Sequence, residues 1–160
     1  MHAVNDIDLR ILPHLDRSLA DPKFDWPTNY GNHANTNAND QGLKPPLSIK
    51  WIRRYEGTFK HLPVCGGGRM YTHTAEGQVF AVEQATGRQL WRRYFPGVHV
   101  SYTSPLYYQG RLFVPQAGID SCQLRCLDAA TGDRVWKHET HGAIWGCLLL
   151  AGDRLYVGNV

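Results

Sequence analysis

Histidine provides the first arrangement that could do chemistry. His99 and His141 lie 42 positions apart and fall at equivalent places in a sequence repeat. Tyr102, His61 and Trp145 are expected near the same rim. Two imidazoles on neighbouring loops, walled by aromatic rings, would suit a small ligand or a metal ion. The competing reading is that repeats copy residues and that loop histidines are solvated. That reading carries more weight, because function has to be argued from a site and not from a fold. The chain also holds four cysteines. Cys122 and Cys126 lie on or beside one strand and are separated by roughly 13 Å at strand rise. A disulfide needs Cα atoms within about 7 Å, so this pair should not bridge. No Cys-x-x-Cys spacing suggests zinc, and no Cys-x-x-Cys-His suggests haem. Cys65, Cys122, Cys126 and Cys147 therefore read as packing residues. The Asn-rich stretch 29–42 lacks the alternating acidic ligands of a calcium loop and reads as solvated.

The elements that would position these residues come from a phrase that occurs twice. Ala81-Val82-Glu83-Gln84-Ala85-Thr86-Gly87-Arg88-Gln89-Leu90-Trp91 returns as Cys126-Leu127-Asp128-Ala129-Ala130-Thr131-Gly132-Asp133-Arg134-Val135-Trp136. The two tryptophans are 45 positions apart, a period that implies an array of similar units. The likeness extends further: Pro63 and Arg69 match Pro105 and Arg111, and Gly110 is followed by Gly152 after 42 positions. Each unit reads as four short strands, in the second about 101–108, 111–115, 123–128 and 133–139. Gln109-Gly110 and Thr131-Gly132 supply the tight turns between them. No window here shows a helical period. A four-stranded unit cannot bury both its faces alone, whereas units stacked face to face in a ring can. The expected fold class is all-β: a partial β-propeller of four-stranded antiparallel blades.

The eleven-residue phrase resembles the tryptophan-docking motif of the PQQ-like propellers, the family of quinoprotein alcohol dehydrogenases. Its small opener, acidic third residue, seventh Gly and eleventh Trp fall on Ala81, Glu83, Gly87 and Trp91, then on Cys126, Asp128, Gly132 and Trp136. The resemblance implies that each Trp lies on an outermost strand, packed between the small residue and the Gly peptide of adjacent motifs. Cys126 is a tolerable small hydrophobe in that place, and Glu83 should cap its turn less well than Asp.

The lead-in, Trp26-Pro27, Tyr30-Gly31-Asn32 and Leu43 to Trp51, also resembles that family. Residues 48–55 are expected as a lone outer strand of a closing blade. Two complete blades should follow (about 61–95 and 101–139), then the first hairpin of another, as in an N-terminal fragment of a larger protein. The expected division is a lead segment over 1–45, mostly loop with a short helix around Leu12, Leu15 and Leu19, and an incomplete propeller over 46–160. Pro45-Pro46 is expected to straighten the chain between them.

Composition limits function. Hydrophobic residues make up 42% and charged ones 19%, with net charge +3 and pI near 8.7. The positive charge is mild and scattered, which argues for no nucleic-acid partner. No stretch reaches the roughly 18–20 apolar residues of a membrane span. Met1 to Asp6 lack a charged leader and an apolar core, so no signal peptide is expected, although the resemblance implies a periplasmic or exported protein. Two functions stay open. One is a non-catalytic scaffold binding a protein or small ligand across the propeller face. The other, implied by the resemblance, is part of a quinoprotein dehydrogenase oxidising alcohols or sugars with PQQ and calcium. Such enzymes carry two adjacent cysteines beside the cofactor, and no Cys-Cys pair occurs here. The scaffold is the favoured expectation.

Overall fold

The structure, a computed structural model, describes residues 7–8, 25–38, 45–100, 103–118 and 122–159. Within these residues the chain is all β. The first complete blade is β2 (Val64–Gly66), β3 (Arg69–His73), β4 (Gln78–Glu83) and β5 (Gln89–Tyr94), joined antiparallel in chain order. The second is β7 (Leu106–Tyr108), β8 (Arg111–Gly118), β9 (Cys122–Asp128) and β10 (Arg134–Thr140). A third unit starts with the hairpin of β11 (Leu149–Ala151) and β12 (Arg154–Tyr156), and β1 (Ile7–Asp8) pairs with β12.

Turn chemistry sets the register. Gly67 and Gly68, at φ 60 and 72, link β2 to β3, while Gln109 and Gly110, at φ 45 and 75, link β7 to β8. Positive φ at both central residues matches the twist of a two-residue hairpin. The third hairpin corrects the sequence alignment by one position. Tyr108 opposes Arg111 and Ala151 opposes Arg154, so Gly152 takes the place of Gln109 and not that of Gly110.

Both faces of each complete blade are largely buried, which explains the unbroken apolar run Val79–Val82 and the fully buried run Leu124–Leu127, apolar but for Arg125. Alternate side chains point to opposite sides of the sheet. Leu112, Val114, Leu127 and Ala129 of blade 2 meet Val64, Tyr71, Val79, Ala81 and Trp91 of blade 1. Phe113, Leu124 and Cys126 meet Ile144, Leu148, Leu150 and Leu155 of the third unit. Both of these clusters therefore lie between neighbouring units, as stacking requires.

Three expectations need correction. Residues 48–55 form no strand ladder, because no neighbouring strand pairs with them among the described residues. Residues 51–59 nevertheless cover the far face of blade 1, where the Tyr55 and Phe59 rings sit 5.3 and 6.0 Å from Phe80. The strand expected to begin at 101 starts only at Leu106, since β6 (Val98–Val100) takes the far end of β8 and divides its edge with β7. Pro45-Pro46 lies in a bend and does not straighten the chain. The short helix expected around Leu12, Leu15 and Leu19 lies outside the described residues.

Candidate functional site

The repeated phrase folds into two superposable turns. The Gly87 amide donates to the Glu83 carbonyl, and that of Gly132 to Asp128, each at 2.8 Å. Asp128 caps its turn with one carboxylate oxygen, which accepts from the Ala130 and Thr131 amides at 2.9 and 3.1 Å. Its other oxygen pairs with the buried Arg111 at 2.7 Å. Glu83 is one methylene longer, so its carboxylate reaches past the amides to the Thr86 hydroxyl and to Arg88. The Thr86 hydroxyl and then Arg88 hold the Glu83 carboxyl below its ordinary range.

Trp91 lies on β5, opposite Ala81, and reaches into the next blade. Its indole N–H donates to the Ala129 carbonyl at 3.0 Å, and its ring lies against Gly132. Trp51 repeats this one blade earlier, with its N–H on the Gln84 carbonyl at 3.0 Å and its ring against Gly87. Each tryptophan is followed two residues later by an arginine that clasps the same turn. Arg53 donates to the Thr86 carbonyl at 3.1 Å, and Arg93 to Thr131 at 2.7 Å and to the Asp133 carboxylate at 2.8 Å. Trp136, opposite Cys126, is half-buried with its ring 5.9 Å from Phe113. Burial pushes the Cys126 thiol up to about 12 and the Cys65 thiol up to about 11, so neither is a ready nucleophile. All four cysteines are unbridged.

On the opposite side, the free edges of the first strands are covered by residues 26–35. Trp26 and Cys65 exchange backbone hydrogen bonds at 2.9 and 2.8 Å, and the Tyr107 amide donates to the Pro27 carbonyl at 2.8 Å. The Asn29 amide nitrogen donates to Cys147 Sγ at 3.5 Å, while its oxygen accepts from the Ser104 hydroxyl at 3.0 Å. His33 packs edge-on to Tyr108, and burial lowers its pKa. One short segment thus steps across three successive units.

Residues 32–160 match the family model PQQ_2, described as outer membrane protein assembly factor BamB. The chain belongs to this family. It is 28% identical over 158 residues to the quinohemoprotein alcohol dehydrogenase of Comamonas testosteroni, a match spanning 85% of this chain but 21% of that protein. A crystal structure of quinohemoprotein alcohol dehydrogenase from the same organism superposes with TM-score 0.57 at 25% identity, covering 88% of this chain and 23% of that one. BamB from Moraxella catarrhalis superposes with TM-score 0.62 at 17% identity, covering 70% and 38% respectively, a likeness of fold alone. The PQQ-like repeat and β-propeller architecture expected from the docking phrase are therefore what this PQQ_2 chain has.

The rim histidines fare differently. His141 lies just after β10 and is exposed, and Trp145 is 53% exposed. His99 lies within β6, in a strand and not in the open loop expected for it. Tyr102 lies outside the described residues. His61 sits 6.1 Å from His73, ring centre to ring centre, and His73 is buried. Burial first, and His61 second, push the His73 pKa down to about 4, which keeps it neutral. No group of three His, Cys, Asp or Glu able to hold a metal occurs among the described residues.

Sequence reasoning missed the clasping arginines, although Trp51-Ile52-Arg53 and Trp91-Arg92-Arg93 display the shared Trp-x-Arg spacing. It also missed Asn29, Ser104 and Cys147, whose meeting no local spacing signals.

Proposed function

We propose that this chain is part of a non-catalytic PQQ-like propeller scaffold that presents its rim to a protein or small ligand. Residues 1–45 act as the lead segment and 46–160 as propeller. The observation that carries the reading is the covering of the inner strand edges by residues 26–35, with ordinary backbone hydrogen bonds to Cys65 and Tyr107. An edge satisfied by the chain's own backbone serves structure. The exposed His141 and Trp145 then form the rim available to a partner.

The 28% identity to a quinohemoprotein alcohol dehydrogenase supports a second reading, a PQQ- and calcium-dependent oxidation. The donors gathered beside the inner strands are the Asn29 amide, the Ser104 hydroxyl and the Cys147 thiol, and Asn29 hydrogen bonds to both of the others. That set contains no carboxylate and poorly suits calcium, which prefers several oxygen ligands. The test is to titrate the intact protein with PQQ and calcium, following tryptophan fluorescence, and to assay dye-linked alcohol oxidation. The scaffold reading expects neither saturable quenching nor dye reduction. Saturable quenching with substrate-dependent dye reduction would replace it with the dehydrogenase.

A further inference from the structure

The face that blade 2 turns toward blade 1 is apolar along most of its length and becomes polar at one end. Leu112, Val114 and Gln116 share that face on β8, with Leu127, Arg125 and Gln123 opposite them on β9. Leu112, Val114 and Leu127 join the interblade core, whereas Gln116 and Arg125 continue the stripe while only 2% and 7% exposed. The Arg125 guanidinium lies 4.5 Å from the ring centre of Phe95, which follows the last strand of blade 1. Arg125 Nε and Nη1, and both Gln116 Nε2 and Oε1, are buried with no hydrogen-bond partner among the described residues. No ion pair among the described residues involves Arg125, and the charge that acts on it is another cation, Arg134.

We propose that this polar end of the interface between blades 1 and 2 binds a small carboxylate, with the Arg125 guanidinium as anion anchor and the Gln116 amide beside it. A buried guanidinium without an acceptor is costly, and a bound anion offsets that cost. Stacking on Phe95 occupies one face of the guanidinium and fixes its plane, leaving the in-plane N–H edges as donors. A planar two-oxygen acceptor fits such an edge in bidentate fashion. Gln116 adds a donor for a carboxylate oxygen and an acceptor for a water or hydroxyl next to it. Burial, and then Arg134, lower the Arg125 pKa to about 10, still well above neutrality, so the anchor stays charged. The site lies between blades and is independent of the rim assigned above.

The probe is acetate. Binding of carbon-13-labelled acetate to the intact protein is followed by NMR, and melting temperature is compared in sodium acetate, sulfate and chloride at equal ionic strength. Saturable acetate binding is expected, with a rise in melting temperature that levels off with acetate concentration, whereas chloride gives none and sulfate gives only the unsaturating rise of an excluded salt. Arg125→Lys keeps the charge but loses the planar fork, and should weaken acetate binding about tenfold or more. Gln116→Leu should also weaken it, while remaining at least as stable in chloride because two unsatisfied buried atoms are removed. This second variant keeps the test decisive if Arg125→Lys does not fold. Absence of saturation with acetate, or unchanged affinity in the folded variants, would overturn the proposal.

Discussion

The ring of Trp91 lies so close to Gly132 that a β-carbon on that glycine would stand 2.7 Å from the indole Cδ2 and Cε3. Gly132 also has φ 76, which L side chains rarely adopt. Conformation and contact thus demand glycine independently, and the pairing ties the last strand of one blade to the turn of the next.

Gly132→Ala should therefore cost on the order of 2–4 kcal/mol, strain plus overpacking. Gly97 is the control, since it has φ 81 but nothing within 4 Å of the added β-carbon. Gly97→Ala should cost only about 1 kcal/mol. Denaturant unfolding of both variants measures the difference, and equal costs would show that the Trp91 contact adds nothing.

Trp91→Ala should lose about 3–5 kcal/mol, because the side chain is buried and hydrogen-bonded to Ala129. Trp91→Phe retains a ring but leaves that carbonyl with only the Tyr71 hydroxyl at 3.3 Å, and should lose less. Trp136→Ala should cost less than Trp91→Ala, since Trp136 is only half-buried. Chemical denaturation would rank the three.

Gly66→Ala should disturb the contact between the first strands. A β-carbon there would lie 2.0 Å from Tyr107 Cδ1, and Tyr107 is itself stacked on Tyr71 at 5.6 Å. The expected loss is about 2–3 kcal/mol. Gly66→Ala combined with Tyr107→Ala should recover part of it, a coupling that a double-mutant cycle reads directly.

Stability should fall in mild acid because of His73. Its folded pKa is depressed to about 4 from an ordinary 6.5. Between those values the unfolded chain binds a proton that the folded one refuses, so the contribution is complete above pH 6.5 and is lost as pH falls toward 4. The loss should approach about 3 kcal/mol. Urea unfolding from pH 7.5 down to 4.5 would show the slope, and His73→Gln should flatten it.

Local chemistry made much of the architecture legible. The turns Gln109-Gly110 and Thr131-Gly132, the buried runs of β4 and β9, and the spacing of Gly87 to Trp91 and Gly132 to Trp136 all arise from neighbours in the chain. Steric demand at positive φ and strand alternation act over a few residues, so a repeat written twice reveals them. Trp51 was recognisable by residue type, but its docking on Gly87 was not, because no Thr-Gly turn precedes it and its segment has no ladder of its own. The meeting of Asn29 with Ser104 and Cys147, the neutral His73 beside His61 and the unpartnered Arg125 above Phe95 depend on contacts between residues 12 to more than 100 positions apart. Desolvation is a property of the whole packed surroundings of a group, and no spacing along the chain encodes it. The sequence alone determined that blades form and which residues pin them together. Tertiary packing decided which edges are covered and which polar groups are buried between blades, because both depend on faces that meet only after the blades stack.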